Sequence, residues 1–457
     1  VVRATLEISS WLRPCAPPNG SIVSRQLDPA NGKLILIASK PNARIFLSAG
    51  EASGDHYGAQ IVAELHARLP GASFLGLGGA EMEDAGLKRV VRAEDVAHMG
   101  ITEVLRHMPR VFGAYRRLVG AIRRERPDVA ILIDFPDVNF RLAKHCKRLG
   151  IPVVWFVSPQ LWAWKRRRLR WVRQRVAKML VIFPFEEAFY RARGVDAEFV
   201  GHPLAALPLP SVSREAYAAE YGLDPAKHWI ALLPGSREKE LYANVTEMVG
   251  VAAILGTSYE YIVPVASTIT HNAMGLALSL AADFPGKKPA FSGDFRLVPD
   301  ARDALYHSRA AIVASGTATV QALTIGNPFV VVYRVSRLTF ALAKRLIRYP
   351  AEIAAPGTLE DADGNLPIAM PNLIAGRRIV PEFLNERLTA ANLAAALRPL
   401  LEDGPERAQM MADLADARAK LLPPVDAGAG PVPARTPIQR VADAVEALLE
   451  STPAPTP

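Results

Sequence analysis

Short apolar runs that end in a turn and are followed by an amphipathic segment recur along this chain, in two series. Residues 44–49, 73–77, 129–133, 152–157 and 179–183 form the first, and 198–200 leads into Gly201-His202-Pro203. Residues 228–233, 261–264, 311–314 and 329–332 form the second. Runs that are apolar throughout, rather than alternating, must be covered on both faces. The pattern therefore predicts α/β units with parallel sheets between layers of helix. Helices are expected at 56–68, 101–124, 140–149, 164–178, 240–255, 272–283 and 338–347, with little else in 266–300. A chain of 457 residues exceeds what one core usually supports, so two domains are expected.

Boundaries follow from composition. Residues 1–43, rich in Pro, Asn, Ser and Gly, read as a poorly ordered extension with no signal peptide. Residues 44–210 read as the first domain, with 205–228 bridging to a second at 226–400. Helices with a linker fill 401–450, and 451–457 is a tail. Cys15 and Cys146 are the only cysteines, far apart and in different settings, and they form neither a metal signature nor a disulfide framework. No run is long enough to span a bilayer as a helix.

The net charge is 54 minus 45, or +9. Residues 138–185 alone hold twelve Lys or Arg and no Asp or Glu, together with four of the six Trp. The basicity is therefore local and predicts an anionic partner: lipid, phosphorylated substrate or nucleic acid. Within this window, 164–178 reads as a helix with Leu169, Val172 and Val176 on one side. It could lie in a membrane interface or pack on the sheet and display only its charges. The stripe Ile101, Val104, Leu105, Met108 and Val111 reads as core or as a lipid-facing surface.

Open α/β sheets bind ligands beyond the carboxyl ends of their strands. In the first half those ends carry Gly50-Glu51-Ala52-Ser53-Gly54-Asp55 and Asp134-Phe135-Pro136-Asp137. Glu51 or Asp134 could take a proton from a hydroxyl, although an Asp there could equally cap a helix. His202 is a further acid–base candidate or a structural residue. In the second half the ends are 234–237 (Pro-Gly-Ser-Arg) and 315–319 (Ser-Gly-Thr-Ala-Thr). Their N–H groups and hydroxyls, with Arg237, could hold a diphosphate between two helix starts. Thr317 or Thr319 could cap the second of these helices. The P-loop lysine is missing, which argues against ATP hydrolysis.

These stretches resemble the lipid-A-disaccharide synthase family. Besides those already quoted, the likeness rests on Met99-Gly100-Ile101-Thr102-Glu103-Val104-Leu105, Ile133-Asp134-Phe135-Pro136-Asp137-Val138-Asn139 and Val157-Ser158-Pro159-Gln160-Leu161-Trp162-Ala163-Trp164. It continues through Phe183-Pro184-Phe185-Glu186, Phe199-Val200-Gly201-His202-Pro203, 232–237, 314–319 and 371–377. The resemblance implies two Rossmann-like domains facing a cleft (the GT-B arrangement), with C-terminal helices that cross back or are swapped between subunits of a homodimer. It implies an inverting transfer from UDP-2,3-diacylglucosamine to 2,3-diacylglucosamine 1-phosphate (lipid X), without cofactor or metal. It places such a protein in the cytoplasm, on the anionic inner face of the inner membrane, with no nucleic-acid partner. Asp134, Glu51 and Arg237 would be catalytic. Gly235, Ser236, Arg237, Ser315, Gly316, Thr317, Gln321, Asn372 and Glu382 would bind the UDP-sugar. Ser53, Gly54, Met99, Trp162, Trp164, Arg166 and His202 would face the acceptor or lipid.

Three features depart from the family pattern. Gln321 stands where the family usually has a glutamate, the loop 350–364 is longer, and 1–43 has no counterpart. Two other readings follow: a GT-B enzyme using another UDP-sugar or acceptor, epimerases included, and a single-stranded nucleic-acid-binding protein.

Overall fold

The structure, a computed structural model, describes residues 23–27, 34–38, 40, 42–97, 104–282, 293–355, 357–423 and 435–451. Its contacts divide the chain into two compact units. The first is Val1–Phe156, Gln174–Ala177 and Ile438–Pro457; the second is Val157–Arg173 and Lys178–Pro437.

In the first unit, β1 (Val23–Leu27) and β2 (Leu34–Ala38) form an antiparallel pair inside the region read as an extension. The sheet proper contains β3 (Arg44–Ala49), β4 (Ser73–Gly78), β5 (Leu87–Arg92), β6 (Val129–Ile133) and β7 (Val153–Phe156). The spatial order is β5-β4-β3-β6-β7, and every pairing is parallel. β6 and β7 are buried at every residue, as their unbroken apolar sequences require. Each fully buried Val, Leu or Ile contributes roughly 1.5–3 kcal/mol. Chain order reverses between β3 and β6: from β3 the path moves to β4 and β5, and β6 then starts on the other side. The helix Pro437–Ser451 lies mostly in this unit, where the Arg68 guanidinium pairs with Asp443 at 2.7 Å and Glu446 at 2.9 Å.

The second unit begins with residues 157–173. Contacts within the unit tie this segment down, as described below. It also holds the parallel pair β8 (Lys178–Val181) and β9 (Ala197–Phe199). Its main sheet contains β10 (His228–Leu233), β11 (Tyr259–Pro264), β12 (Phe295–Val298), β13 (Ala310–Ala314), β14 (Phe329–Tyr333) and β15 (Glu382–Leu384). The order is β12-β11-β10-β13-β14-β15, again parallel throughout, with the reversal between β10 and β13.

Residues 205–228, read as a bridge, contain the helix Arg214–Tyr221, which belongs to this unit's core. Tyr217 packs beside Trp229 and stacks on His307, and the Arg214 guanidinium lies 3.7 Å over the Trp229 ring. The buried face of this helix is built from a tyrosine, an alanine and an arginine stem rather than a stripe of large aliphatic residues, so it gives little periodic signal.

Most of the expected helices form, at Ala52–Arg68, Val104–Glu125, Pro136–Arg148, Glu238–Leu255, His271–Ala282 and Arg337–Leu346. The segment 164–178 departs from expectation: one 3-10 turn, Arg166–Arg168, precedes a short helix, Leu169–Arg175. Val172 is wholly buried, so this helix packs inward and displays its charges. In the stripe beginning at Ile101, residues 101–103 and the side chains of 104–110 lie outside the described residues, and Val111 is half-buried.

Candidate active site

Both sheets present two loops at their reversal points, where an open α/β sheet forms its crevice. In the first unit, Ala49 of β3 pairs with Ile133 of β6. The loops that follow therefore leave side by side, one carrying Glu51 and the other Asp134. The two loops are packed together: a Cβ on Gly50 would fall 2.5 Å from the Phe135 ring. Only a residue without a side chain lets that ring cover the loop.

Asp134 and Phe135 both adopt left-handed backbone, with φ of 42° and 45°. Two consecutive non-glycine residues in this region carry real strain, of a kind that gathers at functional sites. Asn139 holds them there. Its Nδ2 donates to the carbonyls of Asp134 (2.7 Å), Ile133 (3.2 Å) and Ser48 (3.3 Å), and its Oδ1 accepts from the Ser48 hydroxyl at 2.7 Å. The Asp134 N–H donates to the Phe156 carbonyl at 3.0 Å. One buried amide thus ties the end of β3 to the strained turn after β6.

We expect Asn139→Ala to cost about 2–4 kcal/mol, because it strands a buried hydroxyl and three carbonyls. Turnover should fall further than the folded fraction does. Urea denaturation beside single-temperature kinetics checks this, and an unchanged midpoint would show that the turn holds without the amide.

The Asp134 carboxyl is pushed up to about 7, first by burial and then by the nearby Glu51 charge; the Phe135 N–H opposes both. Such a group is half-ionised near neutrality and suits a general base better than an ordinary carboxylate. Glu51 is exposed and stands at the start of the helix Ala52–Arg68, with no side-chain cap bond. Ser53 is exposed and Gly54 buried in that first turn. Asp55 serves the fold instead. Its carboxylate accepts from the N–H groups of Gly79 (2.6 Å), Glu81 (3.1 Å) and Met82 (3.3 Å), starting the next helix.

In the second unit, Leu233 of β10 pairs with Val313 of β13, so loops 234–237 and 315–319 are neighbours. Gly235 has φ 126°, and a Cβ there would strike Glu240 at 2.6 Å. Arg237 starts the helix Glu238–Leu255, with no side-chain cap bond. Its side chain is 75% exposed and only 3.3 Å from Glu240. An exposed pair of this type is worth little, so the guanidinium can turn to a better anion.

Gly316 starts the helix Thr317–Ile325 at φ 148°, again uncapped. Neither threonine caps it. The Thr319 hydroxyl donates instead to the Gly316 carbonyl at 2.7 Å. The Glu240 and Thr319 N–H groups turn back to the carbonyls of Arg237 (2.9 Å) and Gly316 (3.0 Å), and the N–H groups ahead of them, outside the helical ladder, are of the kind that holds anions. Gln321 is half-buried one turn further on.

Several predicted site residues serve as scaffold. Asn372 is fully buried. Its amide donates to Val380 O (3.0 Å) and Glu382 Oε1 (2.7 Å), and its oxygen accepts from the N–H groups of Ile379 (2.7 Å) and Val380 (2.9 Å). Glu382 accepts from the N–H groups of Ile368 and Ala369, each at 3.0 Å, and burial raises its carboxyl. The pair shapes the backbone before the helix Met370–Ala375.

His202 is a helix cap, its Nδ1 accepting from the Leu204 N–H at 3.2 Å. Burial lowers its ring to about 3, leaving a neutral imidazole. The Trp162 indole is inside the fold, against Phe185 and Tyr349, and donates to Glu186 at 3.0 Å. Trp164 and Arg166, by contrast, are exposed. Met99 lies outside the described residues.

Sequence reasoning missed Asn139 and Glu186 as organisers. Glu186, wholly buried and pushed up to about 7 by that burial, also accepts from the Ser158 hydroxyl (2.6 Å) and the Phe183 N–H (3.2 Å). It anchors the loop 158–164. A carboxylate inside an aromatic stretch was the available signal.

Comparison with known proteins gives the following. The family described as Lipid-A-disaccharide synthetase matches residues 45–424. A lipid-A-disaccharide synthase of Acidobacterium capsulatum is 51% identical over 392 residues, 85% of this chain and 94% of the relative. One from Koribacter versatilis is 46% identical over 379 residues, 83% of this chain and 93% of the relative. Among solved structures, the calicheamicin glycosyltransferase CalG4 aligns with TM-score 0.53 at 16% identity, over 90% of this chain and 99% of its own. That last likeness concerns the fold alone, which is of the GT-B type.

Proposed function

Because this chain belongs to the lipid-A-disaccharide synthase family, we infer that its two reversal-point sites divide one sugar transfer between them. The chain is an inverting glycosyltransferase: it joins UDP-2,3-diacylglucosamine to 2,3-diacylglucosamine 1-phosphate, giving the disaccharide 1-phosphate and UDP. In this reading Asp134 takes the proton of the acceptor hydroxyl. The hydroxyl oxygen bonds to the anomeric carbon from the face opposite the diphosphate. The sugar–diphosphate bond breaks, and UDP leaves with the electron pair. Arg237 and the uncapped starts of the helices Glu238–Leu255 and Thr317–Ile325 stabilise the departing charge, where preorganised donors have most effect.

Glu51 has two roles here. Its charge keeps Asp134 basic, and it lies beside the hydroxyl's expected position. Gln321 hydrogen-bonds the donor's ribose, and Asn372 with Glu382 acts through the backbone it shapes rather than by contact. Trp162 and His202 act in the same indirect way, bracing the loop 158–164 and the turn at Pro203. The observation that carries the reading is the strained, raised-pKa Asp134 beside Glu51 at one reversal point.

No helix among the described residues is long and apolar enough to cross a membrane. The exposed Trp164, with Lys165 Nζ 3.9 Å over its ring and Arg166 and Arg167 alongside, supports peripheral attachment to an anionic inner-leaflet surface from the cytoplasm. A homodimer built by exchange of C-terminal helices belongs to the same reading. In it the Arg68 pairs with Asp443 and Glu446 would form between subunits.

Mass spectrometry of products decides the chemistry. Purified protein given both acylated sugars in detergent micelles should yield UDP and the disaccharide 1-phosphate in equal amounts. Free sugar or an epimerised UDP-sugar, with no disaccharide, would overturn the proposal.

A further inference from the structure

The helix Arg337–Leu346 is apolar over about half of its circumference and cationic on the rest. Phe340, Ala343 and Ile347, at its base, are half-buried. Leu338, Leu342 and Leu346, one turn apart each, are 80%, 55% and 58% exposed. At 3.6 residues per turn they occupy an arc of roughly 80°. Three large aliphatic side chains in one solvent-facing row are not the scatter expected of an ordinary surface. Arg337, Lys344 and Arg345 lie on one side of the row, Arg334 and Arg348 beyond its two ends, and residues 334–348 contain no Asp or Glu. Arg337 meets Glu386, and Lys344 reaches the Asp363 carbonyl. Both partners lie on other segments.

The end of this helix adjoins the other cationic, aromatic segment of the unit. The Arg348 N–H donates to the Ala163 carbonyl at 3.4 Å, the Arg166 guanidinium donates to the Arg348 carbonyl, and Trp162 packs on Tyr349. Exposed Trp164, Lys165, Arg166 and Arg167 therefore stand next to the end of this helix.

We propose that the helix Arg337–Leu346 is a membrane-docking helix, sinking its leucine row into an anionic bilayer while the flanking cations and the 164–167 loop meet lipid headgroups. This rests on the peripheral attachment proposed above and says which element provides it. Charge decides between occupants. A second copy of this face would bring like cations together, which association disfavours. Single-stranded nucleic acid would use stacking aromatics, and a row of aliphatic side chains gives it no partner. A short amphipathic helix with leucines on one side and Lys or Arg beside them suits an anionic lipid interface.

The test is co-sedimentation of the full chain with vesicles of phosphatidylglycerol and phosphatidylcholine, and with phosphatidylcholine alone. Wild type should partition onto the anionic vesicles. L338S/L342S/L346S should lower that partition by roughly 100-fold and keep wild-type turnover on micellar substrates. Arg345→Glu should weaken binding and flatten its salt dependence. Equal partition of the triple variant and wild type would overturn the proposal. So would equal binding to neutral vesicles, or a triple variant that changes only the oligomeric state. Absence of disaccharide from the wild type in micelles would sink the reaction assignment instead, and would leave the vesicle result standing.

Discussion

Replacing Asp134 by Asn should lower turnover about 1000-fold, within the range for a lost general base, while UDP still binds. The same change should make the protein more stable above neutral pH. In the fold the carboxyl is raised to about 7 from the ordinary 3.8. A group raised in this way contributes stability below its unfolded pKa and loses it as pH climbs through the folded value. At about pH 8 the ionised carboxylate is therefore a cost that Asn does not carry, on the order of 1–3 kcal/mol. Asn also tolerates the left-handed backbone found there. The pH profile gives an independent check. The acid limb of kcat/KM should fall near 7, and Glu51→Gln should move it to lower pH by removing the like charge. Normal turnover in Asp134→Asn would exclude this base. An unmoved limb in Glu51→Gln would exclude the coupling.

Arg237→Ala should reduce turnover by roughly 100- to 1000-fold, the usual loss when a donor to developing negative charge is removed. It should also weaken UDP. Arg237 is largely exposed, and its partner among the described residues is Glu240, so its removal should leave the unfolding midpoint unchanged. Arg237→Lys should recover little, since a point charge does not reproduce the planar fork. Glu240→Gln should tighten UDP by freeing the guanidinium. Calorimetric titration with UDP beside steady-state kinetics separates these effects. Unchanged turnover and unchanged UDP affinity in Arg237→Ala would dismantle the diphosphate site.

Much of the architecture is legible from apolar runs alone. β6 and β10 read as buried strands because neither contains a polar residue between its ends, and a helix visibly follows each. Short or half-buried strands are not legible in that way. β5 (Leu-Lys-Arg-Val-Val-Arg) and β12 (Phe-Arg-Leu-Val) look like charged linker until the sheet buries Leu87 and Val91 of the first and Val298 of the second. The helix Arg337–Leu346 shows the opposite failure. Its leucine row has the spacing of a core stripe, and only the packing reveals that the row faces outward.

The motif residues divide similarly. Asp134, Glu51 and Arg237 are identifiable as strand-end groups from sequence, because the turn after a strand is where a polar side chain escapes the core. Asn372, His202 and Trp162 look equally functional in the same motifs. Each is buried and already satisfied by its own neighbours.

By itself, then, the amino-acid order determined the two parallel α/β series, the polar groups at the strand ends and the family. These depend on hydrophobicity and on contiguous motifs, which are local. Only the tertiary structure decided which motif residues face solvent, that Asn139 holds the turn of Asp134, and that Glu51 lies close enough to raise it. Those are long-range facts: they arise when β3 and β6, 133 minus 49 or 84 residues apart at the Ala49–Ile133 pair, come to lie side by side and one buried amide must satisfy both.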